Sequence, residues 1–155
     1  MYRLEKIREM VNGILIKNSD LDERHCGFVH LYGVSSISSL LGLKRGLNME
    51  LCAVAGMLHD IVTYKTGNSI EHSKLGSIEA RKILNDAKCF NEEEINIICK
   101  AIYNHSDKHK IDEVYDEVLK DADVLQHYLY NTSLKVFEKD KNRLSILLKE
   151  VGIKE

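Results

Sequence analysis

Not one of the 155 residues is a proline. The strongest breaker of a helix is missing from the whole chain, and no stretch alternates β-branched with polar residues over a strand's length. The period that does recur is the helical one. Leu4, Ile7, Met10, Val11, Ile14 and Leu15 set a first helix over Arg3 to Lys17, followed by a polar loop from Asn18 to Glu23. A second helix, from about Gly27 to Arg45, carries His30, Val34, Ile37 and Leu41 on one stripe and stops at Gly46. Asn48 caps a third, Met49 to about Ile61, and Gly67-Asn68-Ser69 marks the turn after it. Ile70 to Asn85 reads as a fourth helix, with His72 in its first turn. A fifth opens on Asn91 with Glu94 three residues on and ends near His105; a sixth runs from Asp112 to about Tyr130. The tail from Leu134 to Ile153 supplies one or two more. The expectation is an all-α, single-domain helical bundle of about six to eight helices over residues 1–155. Its chemistry-bearing core lies at about 25–130 and its helical tail at about 131–155.

Composition removes several classes of function. Twenty-two basic against 24 acidic residues give a formal charge of −2, and no basic block interrupts the chain, so there is no electrostatic case for nucleic acid or a membrane surface. The start, MYRLEKIREM, lacks the apolar core of a signal peptide, and no run reaches the roughly 18 apolar residues of a membrane span; the chain reads as cytoplasmic. Cys26, Cys52, Cys89 and Cys99 form no CxxC pair, and Cys52 and Cys99 lie in apolar helical patterns, as buried thiols do. Nothing in the pattern sets an oligomeric state.

The unusual feature is GMLHDIVTYK, Gly56 to Lys65, where an imidazole and a carboxylate stand side by side at the inner end of an apolar helix. Near a helix C-terminus both side chains reach one point beyond the last turn, and there the helix dipole favours a cation. A buried carboxylate beside an imidazole is costly unless something positive compensates it, and a divalent metal satisfies both. Taken alone, His59-Asp60 reads more often as a satisfied core histidine and the first residue of a loop. It has company, however: His30 on a buried stripe, His72 at a helix start, His105 at a helix end and Asp123 inside the apolar run Val118 to Leu129. Mixed imidazole and carboxylate suit Mn, Fe, Co, Ni, Zn or Mg better than a thiolate-rich structural zinc.

HLYGV (His30 to Val34), AGMLHDI (Ala55 to Ile61), EHSKLGS (Glu71 to Ser77), NHS (Asn104 to Ser106) and KDADVL (Lys120 to Leu125) follow in the order His, His-Asp, His, His, Asp. In this the chain resembles the HD superfamily of metal-dependent phosphohydrolases, all-helical proteins named for the His-Asp pair. The resemblance implies that His30, His59, Asp60 and Asp123 hold a divalent metal, and that His72 and His105 bind a second metal or the substrate phosphate. It favours Asp123 over Asp121 because the family's last Asp stands in an Ala-Asp-x-Leu context, leaving Asp121 as a solvent-facing carboxylate or a support to the ligands. His25 reads as a surface residue and His109 as solvated, while His127, four residues after Asp123, is a candidate support. Lys65, Lys108 and Arg24 are weaker candidates for touching phosphate.

The function implied is hydrolysis of a phosphate ester or anhydride of a small, nucleotide-like molecule by metal-activated water. Asp60 would orient or deprotonate that water, and His72 or His105 would protonate the leaving oxygen. No Gly-rich P-loop and no Ser or Cys in a nucleophile elbow suggest another route. Two other classes use the same residue types: a non-catalytic metal- or nucleotide-binding sensor module, and a di-iron oxidative enzyme on a related helical fold. Retention of all six site positions argues against the sensor, and the oxidative reading requires redox-active iron.

Overall fold

The computed structural model describes residues 2–153, so residues 1, 154 and 155 of the expected domain lie outside the described part. Among the described residues there are eight helices and no strand: α1 (Arg3–Leu15), α2 (Leu21–Lys44), α3 (Met49–Leu58), α4 (Ile61–Thr66), α5 (His72–Ala87), α6 (Glu92–Asn104), α7 (Val114–Tyr130) and α8 (Glu138–Glu150). The all-helical expectation holds, and most differences are at helix ends.

α3 is the axis of the bundle. The Asn48 side chain accepts from the amides of Glu50 and Leu51 at 3.0 and 3.3 Å, so the helix starts where the cap predicts. Every residue from Leu51 to Leu58 is then buried, because α1, α2, α6 and α7 surround it. Against α2 the approach is closest at Gly56, where a Cβ would lie 2.8 Å from the Ser35 Cα; no side chain fits between the two backbones. Ser35 closes the same contact by donating its hydroxyl to the Ala53 carbonyl at 2.9 Å.

α2 starts at Leu21, six residues before the sequence pattern suggests. The polar segment expected as a loop is its first turn: Asp20 Oδ1 accepts from the amides of Asp22 and Glu23, both at 2.9 Å, and the acids there suit the positive end of the dipole. At 24 residues, α2 is by length and composition alone apolar enough to cross a membrane, which qualifies the expectation that no run is. In this fold it packs on α3 and α7 instead, burying Leu31, Val34 and Leu41.

Between the expected end of the third helix near Ile61 and the turn at Gly67-Asn68-Ser69 lies a short helix, α4, which buried Ile61 and Val62 pin to the core. Gly67, at φ 70, ends it in the left-handed region that glycine enters without strain. α5 begins at His72 and passes close beneath the chain turn: a Cβ on Gly76 would sit 2.8 Å from the His59 carbonyl oxygen. α6 carries the predicted capping box of Asn91 and Glu94. The tail forms one helix, α8, docked on α7 through Leu144, Leu147 and Leu148.

Candidate functional site

Five helices aim their histidines and acids at one place. His30 comes from the middle of α2, and the two-residue joint between α3 and α4 supplies His59, the C-cap of α3, and Asp60, the N-cap of α4. His72 opens α5, His105 caps α6, and Asp123 lies in the buried middle of α7. The close packing at Gly56 and Gly76 is what draws α2, α3 and α5 near enough: His30 Nε2 and His59 Nε2 are 3.1 Å apart.

Each ring is held by its other nitrogen. His59 Nδ1 lies 2.7 Å from the Gly56 carbonyl, His105 Nδ1 2.6 Å from that of Ile102, and His72 Nδ1 3.0 Å from that of Ser69. A carbonyl only accepts, so these partners assign the proton to Nδ1 and leave Nε2 as a lone pair. Gln126 Oε1, 2.7 Å from His30 Nδ1, does the same for the fourth ring, and Gly33 leaves room for it: a Cβ there would meet Gln126 Cγ at 2.9 Å. Four inward lone pairs result, an arrangement that suits metal ligation and wastes hydrogen-bonding capacity otherwise.

Asp60 divides the four into two pairs. Its Oδ2 lies 3.5 Å from His59 Nε2 and 3.7 Å from His30 Nε2; its Oδ1 lies 3.5 Å from His105 Nε2 and 3.7 Å from His72 Nε2. Asp123 Oδ1 joins the first pair, 3.6 Å from His30 Nε2 and 3.8 Å from His59 Nε2. Asp60 Oδ1 and Asp123 Oδ1 are both buried without any hydrogen-bond partner, which in a folded protein costs free energy unless a cation completes them.

The charges point the same way. Burial pushes His59 down to about 4, with His30 and His105 adding to the effect, so it is neutral in the physiological range. Burial also opposes charge on His30, but Asp60, Asp123 and Gln126 outweigh it and raise its pKa. The Asp60 carboxyl would be lifted by burial, yet the imidazoles of His59, His105 and His30 hold it well below the usual carboxylate range. Asp123 is held low against its own burial chiefly by the Lys108 ammonium, 2.6 Å from its Oδ2. The cluster thus holds one buried carboxylate, Asp123, and one partly buried one, Asp60, against one fixed cation, Lys108, and the residues present fit a divalent ion on both donor type and charge.

Residues 27–128 match the family model for the HD domain. The chain belongs to the HD domain family. This HD domain is 32% identical over 99 residues to an uncharacterized protein of Clostridium beijerinckii; the match covers 59% of this chain and 61% of that protein, so the chain spans less than two thirds of its relative. In fold it is similar to the crystal structure of a predicted HD superfamily hydrolase from an uncultured Thermotogales bacterium, at a TM-score of 0.60 and 19% identity, over 92% of this chain and 88% of that one. HD domains bind divalent metals, and this one has four overlapping His/Asp groups among the described residues that could hold one, two of them sharing Asp60 (His30-His59-Asp60 and Asp60-His72-His105) and two sharing Asp123.

Other residues weighed from the sequence fall out as follows. Asp121 faces neither solvent nor the cluster: it is buried between Arg45 and Arg143, at 2.7 and 2.5 Å, and clamps α8 to α2 and α7. That corrects the expectation for it, and the reason is that α8, sixteen residues and more further on, covers that face of α7. Lys65 pairs with Glu79 at 2.7 Å, and Arg24 donates to the Ile16 carbonyl at 3.4 Å, so both heads have partners outside the cluster. His109 is exposed; His25, also exposed, lines a cavity beside His30. His127 stands 3.3 Å from Asp123 Oδ1 and stacks on His30 with ring centroids 4.9 Å apart.

Lys108, a weak candidate for touching phosphate, instead donates to Asp123 Oδ2 at 2.6 Å. Two further residues beside the cluster are not singled out by the sequence pattern: Gln126, for which the i+3 spacing from Asp123 is a usable signal, and Ser106, whose hydroxyl donates to His72 Nε2 at 3.1 Å and which has no signal beyond following His105.

Proposed function

We propose that this protein is a metal-dependent phosphohydrolase, which cleaves a phosphate ester or anhydride of a small, nucleotide-like molecule. The observation that carries the reading is the division of four imidazole lone pairs by the two oxygens of one partly buried aspartate. His30, His59, Asp60 and Asp123 would hold a divalent ion, which when bound would supply the positive charge that acidifies a water molecule and offsets charge on a phosphoryl oxygen.

The chain's own groups do the rest. Imidazole ligands, being neutral, take nothing from that positive charge, and the carbonyl and amide partners of their Nδ1 atoms fix each ring's direction. Asp60 has its buried, unpartnered Oδ1 free to orient and deprotonate the attacking water, next to His105 and His72. His72, part-exposed where α5 begins, has an Nε2 lone pair that accepts from Ser106 and lies 3.7 Å from Asp60 Oδ1, so it can take up the proton removed from the water and pass it to the departing oxygen. Lys108 keeps Asp123 ionised and fixed. The test is to purify the protein without chelators, measure bound metal, and assay phosphate release from a panel of phosphorylated metabolites with Mn, Co, Ni and Mg. Metal-dependent release lost on chelation is expected; bound metal with no release would favour a sensor, and dioxygen consumption an oxidative enzyme.

A further inference from the structure

Beside the histidine cluster, between α2, α4 and α7, lies a cavity of about 210 Å³. Val29 and Cys26 line it from α2, Tyr64 from α4, and His127 and Tyr130 from α7, while the ring of His30 belongs both to this cavity and to the candidate metal cluster. A phosphoryl group seated against Asp60 therefore has its organic part adjacent to this space and in contact with the same imidazole.

The walls are flat. The Tyr64 and His127 rings lie 6.2 and 4.9 Å, centroid to centroid, from that of His30. Tyr130 is 66% exposed, an aromatic ring left open at the rim next to Val29, itself 36% exposed. Tyr130 and His127 also form one wall of a second cavity of about 300 Å³, mostly apolar through Leu134, Val136 and Phe137 but carrying Lys135 and Asp140 as well, so the surface continues beyond the first pocket. No lysine, arginine, aspartate or glutamate lines the smaller cavity, and the two cations nearest in sequence, Arg24 and Lys65, are engaged elsewhere. A second phosphate placed there would lose its hydration without finding a lysine or arginine, whereas an uncharged ring would gain faces to stack on. The volume is below the roughly 300 Å³ at which pockets for drug-sized ligands begin, which suits one ring system.

We propose, on the basis of the phosphohydrolase reading above, that this cavity is the leaving-group pocket and that the substrate is a phosphomonoester of a planar, uncharged ring-bearing alcohol, with Tyr64 and Tyr130 as specificity-determining residues. The bond cleaved is phosphorus to ester oxygen; water adds to phosphorus, and the ring-bearing alcohol leaves carrying the proton.

The test has two arms. The metal-loaded protein is assayed on adenosine 5′-monophosphate, phenyl phosphate, glycerol 2-phosphate and inorganic pyrophosphate, for the wild type and for Tyr130→Ala, whose exposed side chain makes it a safe variant to fold. The ring-bearing monoesters should exceed the other two in kcat/KM by roughly 10-fold or more, and Tyr130→Ala should collapse that preference through KM, as the loss of a stacking partner does. In the second arm the metal-free protein is titrated with adenosine and with phenol, following the tyrosine ring resonances by NMR. Tyr64 and Tyr130 should shift, and the tighter of the two ligands tells a nucleoside from a simple aryl group. Equal turnover of glycerol 2-phosphate, preference for pyrophosphate, or no shift with either ring compound overturns this inference while leaving the phosphohydrolase reading intact. Phosphate release from none of the four, nor from any member of the wider panel, overturns both.

Discussion

Replacing Gly56 with alanine separates packing from chemistry at this site. The new Cβ would lie 2.8 Å from the Ser35 Cα, 2.9 Å from the Ser35 amide nitrogen and 2.9 Å from the Val34 carbonyl oxygen, against 3.4–4 Å for ordinary contact. All three are backbone atoms, so no side chain can swing away and α3 must move off α2 by roughly 0.5 Å or more. Overpacking of this kind costs about 1–3 kcal/mol, and alanine in place of a mid-helix glycine returns about 1 kcal/mol, leaving a net loss of about 0–2 kcal/mol. For a chain of this size that lowers Tm by at most about 8 °C. The site should suffer far more than the fold, because the two helices carry His30 and His59, whose Nε2 atoms are 3.1 Å apart. Displacements approaching 1 Å can cost on the order of 100-fold in turnover. Gly13 in α1 is the control: nothing lies within 4 Å of a Cβ there, so Gly13→Ala should raise stability by about 0.5–1 kcal/mol and leave the site untouched. Thermal melts paired with calorimetric metal titration read both quantities. If Gly56→Ala melts like Gly13→Ala and binds metal like the wild type, close approach of α2 and α3 does not set the site's geometry.

Further predictions follow from individual contacts. His59→Ala should lose bound metal and turnover together, while His72→Ala should keep a tightly bound metal and lose turnover on the order of 100-fold, as judged by metal analysis and steady-state rates; equal metal loss in both would refute the division by Asp60. Lys120 is fully buried, its Nζ donating to the Lys110 carbonyl at 2.8 Å, Asp112 at 2.7 Å and Glu117 at 3.0 Å. Lys120→Met strands those acceptors and should lower stability in urea unfolding by about 3 kcal/mol, the low end for breaking a buried pair because Asp112 and Glu117 keep some solvent. The Arg45 hydrogen bond holds the Glu150 carboxyl below its ordinary 4.5, and Glu117 is held low against its burial by the Asp112 amide, Lys120 and Arg143. A lowered folded pKa gives stability that is whole above the unfolded value and is lost as pH falls through the folded one, so α8 should loosen from α7 as pH drops below about 4.5. Hydrogen exchange in α8 that stays flat from about pH 5 to 3 would contradict this.

How far the sequence reaches depends on whether a feature is decided locally. Helix α6 was readable to its cap because Asn91 and Glu94 bond each other's backbone within one turn. The start of α2 is equally local, yet Asp20-Leu21-Asp22-Glu23 looks like a polar loop unless its acids are taken as a cap and first turn. α4 was not readable, because six residues do not sustain a helix alone and Ile61 and Val62 hold this one only by burial in the core.

The site divides along the same line. That His30, His59, Asp60 and Asp123 stand on inward stripes or helix ends follows from the helical period, and their order along the chain suffices for the family resemblance. Which nitrogen each ring presents, which oxygen of Asp60 faces which pair, and that Lys108 rather than a solvated neighbour meets Asp123 depend on contacts between residues far apart in the chain. Arg143 of α8 holds the Lys108 carbonyl at 3.0 Å, and Lys120 holds that of Lys110, so the loop carrying Lys108 takes its path from two other helices. By itself the sequence determined the helices and which faces carry chemistry, because backbone hydrogen bonding and side-chain period act over a few residues. Only the tertiary structure decided where those faces meet, because that is set by close packing between helices, here down to two glycines, Gly56 and Gly76, whose missing Cβ atoms let three backbones converge on His59.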